Sequence, residues 1–167
     1  TTEISTEGRN LVDEAGLPAR GSEPAGSDEP SDSGTTSGQI FIDTGNDTIA
    51  KLVINGVDVT NGGTVTTAKG VLTVTLTDGE YSYSYTLSDN TLTDPDSDSF
   101  SLTVTDSDGD TANTSIVIGI LDDVPAATDN SNSVVEGGTT SGDVLLDDDG
   151  DGTDISGADG YAGAGPV

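Results

Sequence analysis

Short runs of strictly alternating apolar and polar side chains, each cut by a turn, most constrain what this chain can fold into. Residues 99–125 show the pattern best. Phe100, Leu102 and Val104 alternate with hydroxyl residues, and Ile116, Ile118 and Ile120 do the same further on. A period of two is the mark of a half-buried strand. Between the runs lies Asp106-Ser107-Asp108-Gly109-Asp110, an acidic turn, and after them come Asp122, Asp123 and Pro125, which stops the strand. No segment carries an apolar period of 3.6 over ten residues, so helices are not expected.

The same reading extends upstream. Ile40 and Ile42 flank Phe41, and residues 49–54 form a further candidate strand. Asn55-Gly56 then precedes Val57 and Val59, a two-residue signal for a type I′ hairpin. Leu72, Val74 and Leu76 alternate with threonines, and Asp78-Gly79 turns the chain into Tyr81, Tyr83, Tyr85 and Leu87. Short strands with turns every eight to twelve residues predict an all-β fold, an antiparallel immunoglobulin-like β-sandwich. An OB-like or jelly-roll barrel fits less well, because the hairpins run in sequence.

Composition locates this core. Residues 39–121 hold 24 of the 36 Leu, Ile, Val and Phe residues. Residues 1–33 read as an opening strand and a flexible linker or insertion, rich in Gly, Ser, Pro and acids. Within them residues 10–18 carry enough apolar character for a first edge strand, ended by Pro18. Residues 34–125 are the sandwich module. Residues 126–167 are the leading segment of a second copy: Gly34-Thr35-Thr36-Ser37-Gly38 recurs as Gly138-Thr139-Thr140-Ser141-Gly142, Ile40-Phe41-Ile42-Asp43 corresponds to Val144-Leu145-Leu146-Asp147, and Val135-Glu136 is a looser partner of Val12-Asp13-Glu14. Such an arrangement belongs to a tandem array, whose partners are neighbouring repeats of the same chain. With too few apolar residues for a core of its own, the second segment is expected to lie extended, docked on the preceding module or on a neighbouring chain.

Thirty-one acidic residues against four basic ones give a net charge of −27. Such a chain repels nucleic acid and anionic membrane, and its compact state needs counter-charge. Cysteine and histidine are both absent, which removes thiolate sites, disulfides and the usual zinc ligand. No apolar run is long enough to insert in a membrane, and no signal peptide is visible. What remains is oxygen chemistry. Carboxylates at i, i+2 and i+4 around a turn can converge on a hard cation, and Ca2+ takes six to eight oxygens. Four stretches have that spacing: Asp94, Asp96 and Asp98; Asp106, Asp108 and Asp110; Asp122 and Asp123; and Asp147, Asp149 and Asp151. The last resembles half an EF-hand loop, but Ala158 stands where its closing Glu belongs, so an EF-hand is rejected. Hairpin geometry sends Asp94–Asp98 and Asp122–Asp123 to one pole of the sandwich, where the chain leaves. Asp106–Asp110 lies at the other, joined there by Asp13 and Glu14 if Val12 forms the first strand. Calcium at both poles would stiffen the joints of an array.

Two other readings carry less weight. Tyr81, Tyr83 and Tyr85 could stack on a sugar, although the continuation into Leu87 favours sheet-face packing. Paired carboxylates could serve glycoside hydrolysis, but the chain has no Trp to build a cleft and its acids sit in ionised turns. No enzymatic activity is expected.

The stretches Val12-Asp13-Glu14-Ala15-Gly16-Leu17-Pro18, Asp78-Gly79-Glu80-Tyr81 and Val104-Thr105-Asp106-Ser107-Asp108-Gly109-Asp110-Thr111, followed by Asp122-Asp123-Val124-Pro125, resemble the immunoglobulin-like repeats of giant type I-secreted (RTX) bacterial adhesins. The resemblance implies a calcium-bound extender module on the extracellular surface of a Gram-negative bacterium, serving surface attachment or biofilm formation. It leaves a glycan or other surface ligand to be bound through other domains. The alternative it implies is a ligand-binding or split module near the adhesin tip. The sequence departs from the family in lacking the GGxGxDxUx nonapeptides and in the long loose stretch over residues 18–33.

Overall fold

The computed structural model describes residues 1–143, 145–146 and 152–161. It contains ten strands and one short 3-10 turn: β1 (Glu3–Gly8), β2 (Leu11–Asp13), the turn Glu14–Gly16, β3 (Thr35–Asp43), β4 (Ile49–Ile54), β5 (Val57–Asp58), β6 (Gly63–Thr66), β7 (Gly70–Thr77), β8 (Glu80–Leu87), β9 (Asp96–Asp106) and β10 (Thr111–Leu121). They form two five-stranded sheets, ordered β1-β3-β8-β7-β6 and β2-β10-β9-β4-β5. The protein is an all-β sandwich, as the alternation predicts.

The long inner strands send one parity of side chains inward. In β8 the tyrosines and Leu87 are buried while Glu80, Ser82, Ser84 and Thr86 face out. Tyr81, Tyr83 and Tyr85 are 5%, 2% and 0% exposed, so they are core residues and offer no sugar-stacking platform. Opposite them stand Phe100, Leu102 and Val104 of β9 with Ile116, Ile118 and Ile120 of β10. Tyr85 and Phe100 meet edge to face across the two sheets, ring centroids 5.8 Å apart, a geometry that adds about 0.5–1.5 kcal/mol beyond area burial. The Asn55-Gly56 and Asp78-Gly79 turns have positive φ at both residues (47° and 82°; 52° and 87°), as a type I′ turn requires.

Three stretches fold differently from their sequence reading. Residues 3–8, read as linker, form the edge strand β1, pairing antiparallel with β3 from Glu3↔Asp43 to Gly8↔Gly38. The stretch after Pro18 is not loose. Leu17 is 1% exposed, and Gly26 N–H donates to Leu17 O at 2.8 Å. Leu145 and Leu146, which the repeat places in a strand, lie in a turn; no counterpart of β8 sits beside them among the described residues.

Strand directions fix the ends of the module. β9 and β10 are antiparallel, with Thr111 opposite Thr105 and Ile120 opposite Asp96. The Asp106–Asp110 turn therefore marks one pole and Asp122 leaves from the other, here called the exit pole. Asp94 and the loop after β8 belong to the exit pole. So do Asp13 and Glu14: β2 pairs parallel with β10, with Leu121 beside Asp13. This corrects the expectation that Asp13 and Glu14 join Asp106. A first strand antiparallel to the hairpin's return strand would have carried them there; parallel pairing carries them to the exit.

Candidate metal centre

At the turn pole the carboxylate oxygens of Asp47, Asp106 and Asp108 lie within 4.8 Å of one another. Asp106 is 2% exposed and ends β9. Its Oδ1 accepts the backbone N–H groups of Asp108 (3.2 Å), Gly109 (3.0 Å) and Asp110 (2.9 Å), and its Oδ2 accepts the Thr2 hydroxyl. The Thr2 hydrogen bond, with the turn amides, holds the Asp106 carboxyl down at about 2. Asp108 is pushed up by its contact with Asp106 and by the charges of Asp106 and Asp47. Asp106 thus has its donors already and shapes the hairpin turn. Asp110 stands outside the cluster. Asp47 was not legible as a member, because the pairing of β4 with β9 that brings it there (Ile49↔Asp106) is a long-range contact.

The exit pole is different in kind. Glu14 is fully buried. Its Oε1 accepts Thr91 N–H (2.7 Å) and Thr91 Oγ–H (3.0 Å), while its Oε2 is buried with no hydrogen-bond partner. Burial raises the Glu14 carboxyl above its ordinary range, and the charges of Asp159 and Asp122 add to that shift. Asp122 is raised too, by burial and then by Asp159, Asp94 and Asp123. The orphaned carboxylate oxygen thus belongs to a group that feels the negative charges of Asp159 and Asp122. A buried charge left so costs several kcal/mol unless something neutralises it.

The remaining acids have other work. Asp123 is 7% exposed, and Ser27 N–H (2.8 Å) and Ser27 Oγ–H (2.5 Å) donate one to each of its oxygens. This clamp holds the residue 17–33 stretch over the pole. Asp13 caps the 3-10 turn by accepting Ala15 N–H at 2.9 Å. Asp96 and Asp98 lie in β9, not in the preceding loop. Asp96 pairs with Lys69 Nζ at 2.5 Å, which draws its carboxyl down. Asp98 points into the core, where it accepts Tyr85 O–H (3.0 Å) and Thr67 Oγ–H (2.5 Å). The Asp94, Asp96, Asp98 triplet is thus divided among three environments, and only Asp94 is left near Asp122. Asp147, Asp149 and Asp151 lie outside the described residues.

Arg20 closes the pole. Its Nη atoms donate to Pro18 O (2.9 Å), Asn90 Oδ1 (3.1 Å) and Ala158 O (3.3 Å), and its Nε lies 3.4 Å from carboxylates of Glu23 and Asp89. It draws together the 17–33 stretch, the loop after β8 and the chain downstream, whose Ala158 is buried and whose Ile155 bridges to Ala126. Among the described residues downstream of β10, Ala158 O and Asp159 thus meet Arg20 and Asn90 of the preceding chain. Thr91, Ser27 and Asp159 had no sequence signal; only tertiary packing puts them beside Glu14 and Asp123.

Among the described residues only Asp47, Asp106 and Asp108 bring three carboxylate oxygens within 4.8 Å of one another. At the exit pole Glu14 and Asp122 offer oxygen ligands of the kind a hard divalent cation takes, one of them an unused buried oxygen, without converging as a set of three. Among the described residues no helix is long and apolar enough to cross a membrane. No protein-family model and no curated protein matches this sequence, so the fold and this exit-pole chemistry carry the functional argument.

Proposed function

We propose that the chain is a structural, calcium-stabilised extender module of a secreted cell-surface adhesin, working without catalysis. The observation that carries the reading is the fully buried Glu14, whose Oε2 has no hydrogen-bond partner and on which the charges of Asp159 and Asp122 act. Glu14 and Asp122 would supply carboxylate oxygens to the ion. Calcium would supply the positive charge that the pole lacks and tie the first strand to the exit of the last. The strand directions support a linear array: β1 starts near the turn pole and β10 ends at the exit pole, so modules follow one another end to end. The sequence resemblance to adhesin repeats supplies the setting, an extracellular bacterial surface, with neighbouring repeats as partners and other domains as the ligand-binding part.

Thermal unfolding by circular dichroism, in excess EDTA, in millimolar calcium and in magnesium, tests this. An extracellular site binds with a dissociation constant of about 10⁻⁴–10⁻³ M, and each site filled at 100-fold excess adds about 2.7 kcal/mol. A calcium-specific rise in Tm supports the reading. Identical curves in EDTA and calcium would leave a solvated acidic pole and end it.

A further inference from the structure

The Asn55-Gly56 turn carries chemistry that the calcium reading does not use. Asparagine followed by glycine is the dipeptide most prone to spontaneous deamidation, because nothing on glycine shields its backbone nitrogen. Here a Cβ on Gly56 would meet nothing within 4 Å, and Asn55 is exposed. The Asn55 carboxamide, however, is engaged. The β4–β9 ladder ends at Ile54↔Leu102, and Asn55 continues it. Its backbone N–H donates to Ser101 O (3.0 Å). Its Oδ1 accepts Ser101 N–H (2.8 Å) and Ser101 Oγ–H (3.1 Å), and its Nδ2 donates to Ser99 O (3.3 Å). The side-chain amide takes the place of one more backbone unit in the sheet.

We propose that Asn55-Gly56 is a latent modification site which the fold keeps shut, and that its conversion detaches the β4–β5 turn from β9. In the reaction the Gly56 backbone nitrogen attacks Asn55 Cγ and loses its proton. The bond from Cγ to Nδ2 breaks, and that nitrogen leaves as ammonia. A cyclic succinimide remains. Water then opens it at either carbonyl, giving aspartate or isoaspartate. The attack needs Cγ free to swing toward Gly56, so the hydrogen bonds to Ser99 and Ser101 must first open. The rate in the folded protein is then the unfolded-chain rate multiplied by the open fraction of this edge. The product is not equivalent to the starting amide. Aspartate presents an oxygen to Ser99 O where Nδ2 donated, and isoaspartate adds a carbon to a turn whose φ of 47° fits the type I′ geometry.

Asn61-Gly62 is an internal comparison. Asn61 is exposed, and no side-chain hydrogen bond holds it among the described residues; only the Gly62 N–H is engaged, donating to Val59 O at 2.9 Å. The test is peptide mass mapping of the whole chain, incubated folded at mildly alkaline pH, against the same chain in denaturing guanidinium. Asn55 should convert about 100-fold more slowly folded than unfolded, and Asn61 should convert ahead of it in the folded protein. Asn55 keeping pace with its unfolded rate, or with Asn61, overturns the proposal. A second measurement uses Asn55→Asp made directly. A lowered Tm is expected from the lost Ser99 bond, and a Tm equal to or above that of the parent overturns the bridging role.

Discussion

Glu14→Gln is the most informative single change. Gln keeps an oxygen to accept Thr91 N–H and Oγ–H, and it puts an amide N–H₂ where the orphaned Oε2 stands. That removes a buried charge on which the charges of Asp159 and Asp122 act unfavourably. An unsatisfied buried polar group costs about 1–3 kcal/mol, more when charged, so in EDTA the variant should be more stable than the parent by about that amount. At roughly 4 °C per kcal/mol for a domain of this size, Tm should rise by roughly 4–12 °C. In calcium the difference shifts toward the parent. The parent gains about 2.7 kcal/mol at 100-fold excess, whereas the neutral amide is a poorer ligand and should gain little. The assay is a pair of melting curves for each protein, and the readout is the change in their gap between EDTA and calcium. A Glu14→Gln protein less stable than its parent in EDTA would show that the buried carboxylate is not under strain, and the argument from Oε2 would fail. A variant with an undiminished calcium increment would move the ion elsewhere.

Other consequences follow from packing and charge. Tyr85→Phe removes a hydroxyl from the buried Asp98 carboxylate, whose proximity, after burial, pushes the phenol far above its ordinary pKa. Chemical denaturation should show a loss of about 1–3 kcal/mol, and no loss would mean Asp98 is served by Thr67 alone. Gly38→Ala would place a Cβ against Glu7 O and the Tyr83 ring. It should cost about 1–3 kcal/mol by overpacking and increase hydrogen exchange in β1; an unperturbed β1 would contradict the close strand approach. Metal-free stability should pass through a maximum below neutrality. Glu14 and Asp122 have raised carboxyl pKa values, so their cost is relieved as pH falls into that raised range. Asp106, held at about 2, and Asp96, held low by Lys69, stabilise above the ordinary 3.8 and lose that contribution as pH falls below it. A monotonic decline in Tm from neutral pH downward would refute the Glu14 and Asp122 shifts.

Sequence alone determined the sandwich, because its signal is local. Alternation in residues 72–74, 81–87, 100–104 and 116–120 states which side chains face inward, and those residues are the core, whereas Leu76, predicted to share that face, is exposed at the end of β7. Turn chemistry is local as well, so Asn55-Gly56 and Asp78-Gly79 are type I′ in structure as in sequence. Acid spacing marked the poles for the same reason. Tertiary structure alone decided which acids meet. Residues 3–8 show no strong alternation, and they become a strand only because β3 offers an edge. The parallel pairing of β2 with β10 sends Glu14 to the exit pole, and no pattern within residues 10–18 encodes that direction. Spacing treated Asp94, Asp96 and Asp98 as equals, whereas β9 begins early enough to turn Asp98 into the core and leave Asp96 to Lys69. A cation site is a property of convergence among distant residues, and linear spacing reports only candidates for it.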